Sequence, residues 1–109
     1  MGKYIIQKSS NGGYFFNLKA GNNETILTSE IYNTKKACQD GIESVRNNSP
    51  IDSRYERKTS SNSKFYFNLK ASNGQVIGTS EMYETSGGME TGINSVKQNG
   101  PNSPIEDRS

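Results

Sequence analysis

This sequence lacks several residues on which common enzyme chemistries depend. Among its 109 residues there is no histidine, no tryptophan and a single cysteine, Cys38. One cysteine excludes an internal disulfide and a cysteine-based zinc cluster. Without histidine, the usual base beside a serine or cysteine nucleophile is missing. These absences argue against the common hydrolase and metalloenzyme classes, and we expect no cofactor and no bound metal.

The chain also has little net charge and few hydrophobic residues. Thirteen basic and 11 acidic residues leave a formal net charge of +2, which is not typical of a nucleic-acid binder or a membrane-surface protein. Hydrophobic residues make up 29% of the chain, below the usual globular share. A disordered chain would combine such a composition with a high net charge. The small charge therefore favours a folded protein, and the length suits one domain.

Long apolar runs are missing as well. No stretch approaches the roughly 18 apolar residues of a membrane span. The run Tyr4–Ile6 is too short for the apolar region of a signal peptide, and no small-residue cleavage site follows it. Disulfide scaffolds of secreted proteins use an even number of cysteines. We therefore expect a cytoplasmic protein without a membrane partner.

What the sequence does contain is an internal duplication with a period of 51 residues. Alignment of Tyr4–Pro50 with Tyr55–Pro101 needs no gap and gives 22 identities in 47 positions. The longest shared run, Phe16–Ala20, recurs as Phe67–Ala71. Self-similarity at one fixed offset indicates a single structural unit used twice.

Each repeat has the pattern of three strands followed by a helix. Aromatic and β-branched runs bounded by Gly, Asn and Ser predict the strands. These are Lys3–Lys8, Tyr14–Ala20 and Thr25–Ser29 in the first repeat, and Tyr55–Lys58, Phe65–Ala71 and Val76–Ser80 in the second. Apolar residues three, four and seven apart predict an amphipathic helix after Tyr32 and after Tyr83. Because Gly87 and Gly88 weaken the first turn of the second helix, that helix is expected to begin near Met89.

The two repeats are expected to share one core. A repeat of about 51 residues buries little surface alone and would be marginally stable. No linker separates the repeats, and a continuous extended segment through Ile51–Arg54 into Tyr55–Lys58 would carry the chain across. One antiparallel sheet with both helices on one face removes two exposed edges. We expect a single α+β domain with pseudo-two-fold symmetry, its repeats spanning about 1–54 and 55–109.

Strand alternation separates a helix-facing side from an open face. If no helix covers that face, it carries six side chains that could contact a partner: Phe15, Asn17, Lys19, Tyr66, Asn68 and Lys70. The first hypothesis is a non-enzymatic binding module that uses this face. A weak single-stranded nucleic-acid binder is the alternative, although such proteins usually carry more positive charge. A sheet face that contacts only solvent would have the same pattern of residues in the sequence.

Two further features of the sequence could take part in catalysis or ligand binding. Glu30 and Glu81 are equivalent residues, and they could converge across the two-fold axis as a small-ligand or enzymatic site. Alternatively, each simply follows a strand end and interacts with local groups. Cys38 lies on the apolar helix face and is replaced by Met89 in the second repeat, which favours a core role over a nucleophile. The residues thus predict no catalytic side chain.

The combined pattern resembles a known family. Phe-x-Leu-Lys-Ala-x-Asn-Gly at Phe67–Gly74 is followed by Ile-x-x-Ser-Glu-x-Tyr at Ile77–Tyr83 and Gly-Ile-x-Ser-Val-x-x-Asn at Gly92–Asn99. Over nearly the whole chain this resembles the YegP-like family of small bacterial proteins. The resemblance implies two β-β-β-α-β units that share one sheet and exchange their C-terminal strands. It implies no function and no catalytic residues. We expect a monomer with an internal pseudo-dimer, and a protein partner before a nucleic acid.

Overall fold

The computed structural model of the protein describes residues 2–109, which form seven strands and two helices. In the first repeat these are β1 (Lys3–Lys8), β2 (Tyr14–Lys19), β3 (Thr25–Ser29) and α1 (Lys35–Asn48). In the second they are β4 (Tyr55–Thr59), β5 (Phe65–Lys70), β6 (Val76–Thr79), α2 (Ser86–Asn99) and β7 (Ile105–Asp107). A short 3-10 turn, Asp52–Arg54, joins the repeats. This order confirms the predicted pair of β-β-β-α units.

All strands belong to one sheet with the order β4-β5-β6-β3-β2-β1-β7. The central β3–β6 pair joins the two repeats, and Thr28 lies opposite Thr79 there, so the pseudo-two-fold axis passes through this pair. Five neighbouring pairs are antiparallel, and β7 is parallel to β1. The α+β fold with a shared sheet is therefore confirmed, and the sheet is mixed because of β7 alone.

Both helices begin at a threonine cap. The Thr34 hydroxyl accepts a hydrogen bond from the Ala37 N–H at 3.0 Å, and the Thr85 hydroxyl accepts one from the Gly88 N–H at 2.9 Å. The second helix starts at Ser86, so the expected start near Met89 is wrong. Glycine costs about 1 kcal/mol in a helix interior, but an N-cap contributes a comparable amount and holds the first turn.

One hydrophobic cluster spans both repeats on the helix side of the sheet. Its fully buried members include Phe16, Leu18 and Ile42 from the first repeat with Phe67, Leu69 and Ile93 from the second. Gly41 lets α1 approach the sheet, because a Cβ atom there would lie 2.5 Å from the Tyr32 hydroxyl oxygen. Gly92 approaches Tyr83 in the same way. The buried side chains of the two repeats therefore form one continuous cluster.

The exchange of C-terminal strands is one-sided. The tail of the second repeat forms β7 and pairs with β1 of the first repeat. The tail of the first repeat forms no strand within residues 2–109, because Asp52–Arg54 turns as a 3-10 helix and Tyr55 donates its N–H to the Asp52 carbonyl. The expected continuous extended segment is therefore wrong. Only a few residues connect α1 with β4, so the chain must turn tightly instead of running beside a strand.

Candidate functional site

The six predicted face residues lie on the side of the sheet that faces away from the helices. In β2, the core residues Phe16 and Leu18 alternate with Phe15, Asn17 and Lys19, so the latter three point to the opposite side. In β5 the same alternation places Tyr66, Asn68 and Lys70 there. Asn17 is 9% exposed and the other five are partly exposed. We call this side the open face.

A row of hydrogen-bonded polar side chains crosses the middle of the open face. The Gln7 amide donates to Asn17 Oδ1 at 2.6 Å, and Asn17 Nδ2 donates to Thr28 Oγ1 at 2.9 Å. On the other side of the axis, Thr79 Oγ1 donates to Asn68 Oδ1 at 2.8 Å. Because these amides and hydroxyls bond one another, their rotamers are held in place. The open face therefore presents an ordered polar stripe.

The charged side chains occupy different positions in the two halves of the open face. Lys70 forms an ion pair with Glu56 at 3.2 Å, and the hydrogen bond from Asn68, together with Lys70, lowers the pKa of Glu56. Lys19 has no carboxylate within salt-bridge distance in residues 2–109. The residue equivalent to Glu56 is Ile5, which is only 2% exposed. Among the described residues, each half thus carries one ion pair and one free lysine: the first has the Lys3–Glu106 pair beside Lys19, and the second has the Lys70–Glu56 pair beside Lys58.

The two aromatic side chains lie at opposite corners of the open face. Asn17 and Asn68 share one cross-strand row through β3 and β6, and Phe15 and Tyr66 lie two residues from that row in opposite directions. With about 3.3 Å per residue and about 4.8 Å per strand, the two positions are separated by nearly 20 Å. That spacing does not suit the stacking of neighbouring bases on both rings.

The structure does not bring Glu30 and Glu81 together. Glu30 donates its N–H to the Ile77 carbonyl at 3.2 Å, so it lies beside Ile77, four residues before Glu81 in the sequence. Four residues correspond to roughly 13 Å along a strand. The hypothesis of a convergent carboxylate pair is therefore wrong. Because β3 and β6 run antiparallel, the residues that follow them lie at opposite ends of the strand pair.

Cys38 is fully buried in the shared core. Burial, and secondarily the charge of Asp107, raises the pKa of its thiol to about 11. The nucleophilic form of cysteine is the thiolate, and a thiol with this pKa stays protonated at neutral pH. Cys38 thus has the environment of a packing residue.

Sequence reasoning missed a surface hollow of about 500 Å³ beside the end of α2. Its wall combines the turn after β2, including Asn22, with Ser95, Asn99 and Asn102. Its lining residues are all uncharged. The hollow brings together segments more than 70 residues apart, so no local pattern could have revealed it. Within residues 2–109, no three His, Cys, Asp or Glu side chains are grouped closely enough to hold a metal ion.

The comparison with protein families decides where this chain belongs. The family model described as Domain of unknown function (DUF1508) matches it twice, at residues 9–56 and 60–107. The chain belongs to the DUF1508 family. The two matches begin 51 residues apart, which is the period of the repeat, and they start directly after β1 and after β4. As for membranes, neither helix found in residues 2–109 is long and apolar enough to span one.

Relatives of this DUF1508 protein match it over nearly their full length. The UPF0339 protein YegP of Escherichia coli K12 is 57% identical over 106 residues, covering 97% of this chain and 96% of YegP. A UPF0339 protein of Shewanella oneidensis is 52% identical over 106 residues, with the same coverage. One from Bordetella pertussis is 51% identical over 108 residues, covering 99% and 97%. The YegP-like resemblance is thereby confirmed.

Two solution NMR structures share the fold. The structure of E. coli YegP, described as a protein of unknown function, superimposes with a TM-score of 0.93 at 56% identity, covering 98% of this chain and 92% of YegP. The Shewanella oneidensis UPF0339 protein gives a TM-score of 0.92 at 52% identity, covering 97% and 90%. These relatives establish the family and its fold, and their names assign no activity.

Proposed function

We propose that this DUF1508 protein is a non-enzymatic binding module that presents its open face to another protein. One observation carries this proposal: both helices pack on the other side of the sheet, which leaves the open face partly exposed and ordered by side-chain hydrogen bonds. Ordered side chains lose little conformational entropy on binding. The face is therefore suited to recognition without rearrangement.

A protein partner fits the open face better than a nucleic acid. Glu56 and Glu106 already pair with Lys70 and Lys3, which leaves fewer cations free for phosphates. The rings of Phe15 and Tyr66 lie too far apart for adjacent bases. The different positions of the ion pairs and free lysines in the two halves instead give a partner protein one preferred orientation. We further propose that the module acts as a cytoplasmic monomer in which both repeats form one domain, since they share one core.

Site-specific photo-crosslinking in cells tests the binding proposal. A benzophenone amino acid replaces Phe15 or Tyr66 on the open face, and Asn94, exposed on α2, serves as the matched control. We expect one discrete protein adduct from the open-face positions that is absent from the control. In the benzophenone variant at Phe15, the additional change Lys19→Glu should weaken the adduct. Equal adducts from Asn94, or none from either open-face position, would contradict the proposal.

Titration of the isotope-labelled protein with short single-stranded DNA and RNA tests the alternative. We expect no amide shifts at Asn17, Lys19, Asn68 or Lys70 at low salt. Shifts confined to these residues that fade at moderate salt would instead identify a nucleic-acid surface.

A further inference from the structure

The two edges of the sheet are equivalent by the internal repeat but differ in what covers them. At one edge, β7 lies along β1: Tyr4 donates its N–H to the Pro104 carbonyl at 2.8 Å, and Arg108 donates its N–H to the Ile6 carbonyl at 2.8 Å. At the other edge, β4 has one neighbour, β5. Since β1 and β4 are equivalent strands of the two repeats, the pairing of β7 with β1 shows how a parallel strand could pair with β4.

The outer backbone groups of β4 match those that β7 uses on β1. Phe67 donates its N–H to Ser80 Oγ at 3.0 Å and accepts from the Ser80 N–H at 2.9 Å, so both its backbone groups face β6. Arg57 lies directly opposite Phe67, and its own N–H and C=O must then point away from the sheet. In residues 2–109 no other strand reaches them. Arg57 is the equivalent of Ile6, which bonds β7.

The 3-10 turn before β4 occupies the start of this edge. Tyr55 donates its N–H to the Asp52 carbonyl, just as Tyr4 donates to Pro104. After that point the first repeat turns into β4, whereas the second continues as β7. The free part of the β4 edge therefore begins beyond Tyr55, and it is exposed over Arg57, Lys58 and Thr59.

The side chains of β4 indicate the charge of the strand that fits. The β7 register pairs Ile6 with Asp107, and one step further Gln7 lies opposite Arg108. The equivalents on β4 are Arg57 and Lys58. Lys58 is exposed and has no carboxylate within salt-bridge distance in the described chain. Arg57 already forms ion pairs with Glu90 at 2.6 Å and with Asp52 at 3.0 Å, so an acidic residue is favoured only opposite Lys58.

We propose that the β4 edge binds an extended segment of a partner protein that has an acidic residue opposite Lys58. The segment adds to the sheet as an eighth strand parallel to β4, beyond the turn that already bonds the Tyr55 N–H. Main-chain hydrogen bonds supply affinity, and the side chains supply specificity. Lys58 lies opposite Tyr66 of the open face, so the β4 edge is a second surface that borders the open face.

A synthetic peptide derived from the molecule's own β7 tests the proposal. The probe has the sequence of residues 102–109 with Glu106→Thr, which avoids Glu56, and Arg108→Glu, which faces Lys58. The matched control peptide carries Arg108→Lys instead. Titrated into the labelled full-length protein, the acidic probe should shift the Arg57 and Thr59 amides in a saturable manner. We expect it to bind at least five-fold more tightly than the control at low salt, and this preference should shrink with added salt.

Two protein variants make the test specific. Lys58→Glu should invert the preference, so that the lysine peptide binds more tightly. Arg57→Pro removes an outward N–H from an edge strand, where proline is tolerated, and should abolish binding of both peptides while the β5 and β6 amide shifts stay in place. The proposal is overturned if shifts occur only at Ile6, which would show exchange with β7. Absence of shifts would overturn it too, as would Arg57 shifts that depend on protein concentration alone, which would identify a second copy as the occupant.

Discussion

The hydroxyl of Tyr4 donates a hydrogen bond to the Gly100 carbonyl at 2.6 Å, and so ties the first strand of one repeat to the end of the other repeat's helix. Tyr55 makes the reciprocal bond to the Ser49 carbonyl at 2.7 Å. Both bonds are buried. Each strand of the pair thus holds the helix of the opposite repeat, which predicts that the two repeats unfold together.

Replacement of Tyr4 by phenylalanine tests this tie. Tyr4→Phe leaves a buried carbonyl without its donor, so we expect a loss of about 1–2 kcal/mol in the free energy of unfolding. Urea denaturation followed by fluorescence and circular dichroism should show one coincident transition at a lower midpoint. Tyr14→Phe is the matched control, because the second repeat already has Phe65 there, and its effect should stay within about 0.5 kcal/mol. Two separated transitions would contradict the shared core.

The free energy of unfolding should fall in alkaline solution because Tyr4 and Tyr55 are buried. Burial raises the pKa of Tyr4 and Tyr55 above the ordinary value of about 10. The unfolded tyrosines therefore lose their protons first as the pH rises, and stability that is fully present below about pH 10 declines above it. Urea midpoints between pH 8 and pH 11 measure this decline. The double variant Tyr4→Phe with Tyr55→Phe should show a shallower decline, and an unchanged slope would contradict the assignment.

Gly41 should not tolerate a side chain. In Gly41→Ala the new Cβ would lie 2.5 Å from the Tyr32 hydroxyl oxygen and 3.1 Å from the Phe16 ring. Overpacking of this kind costs about 1–3 kcal/mol, which exceeds the gain in helix propensity of about 1 kcal/mol. Thermal denaturation should show the loss, and Tyr32→Phe in the same chain should recover part of it.

Gly87→Ala is the control for Gly41→Ala, because we expect it to raise the stability instead of lowering it. Its nearest neighbour is the Thr85 hydroxyl at 3.9 Å, so Gly87→Ala meets open space. We expect it to stabilise α2 by roughly 0.5–1 kcal/mol, because alanine loses less backbone entropy in a helix. Equal effects of Gly41→Ala and Gly87→Ala would show that the contact with Tyr32 does not limit the packing of α1.

Removal of residues 105–109 should expose the edge of β1. The truncation deletes the Arg108 bond to Ile6 and the ion pairs of Lys3 with Glu106 and of Lys35 with Asp107. It also uncovers Ile5, which is almost fully buried. We expect a lower melting temperature and concentration-dependent self-association, because an exposed apolar edge strand pairs with other chains. Sedimentation velocity measures the association, and removal of Ser109 alone is the control.

Local sequence patterns predicted most of the strands and helices. Alternation along Phe16 and Leu18 predicted β2 to within one residue of its observed end at Lys19, because the pleat determines which side chains are buried. Spacing around Ile42 predicted α1 in the same way. The start of α2 was missed because propensity alone ignores the hydrogen bond that Thr85 contributes to the first turn.

Duplication also indicated which residues share the open face, since equivalent strands in one sheet present equivalent sides. It could not assign the positions of those residues along the strands. The β3–β6 register places Glu30 and Glu81 apart and the hydrogen-bonded row of Asn17 and Asn68 in line. Register depends on contacts between distant segments, and a symmetric sequence is compatible with several registers.

The repeat dictated two equivalent halves, and the tertiary structure made their edges different. Ile51–Arg54 and the tail after Pro104 resemble each other in sequence, yet one turns into β4 and the other becomes β7. The cause is connectivity: only a few residues connect α1 with β4, so they turn directly into β4 and cannot lie along a neighbouring edge. The pattern of polar and apolar residues therefore determined the strands, the helices and the core. The lengths of the connections between these elements in the tertiary structure determined that β1 is covered and β4 is exposed.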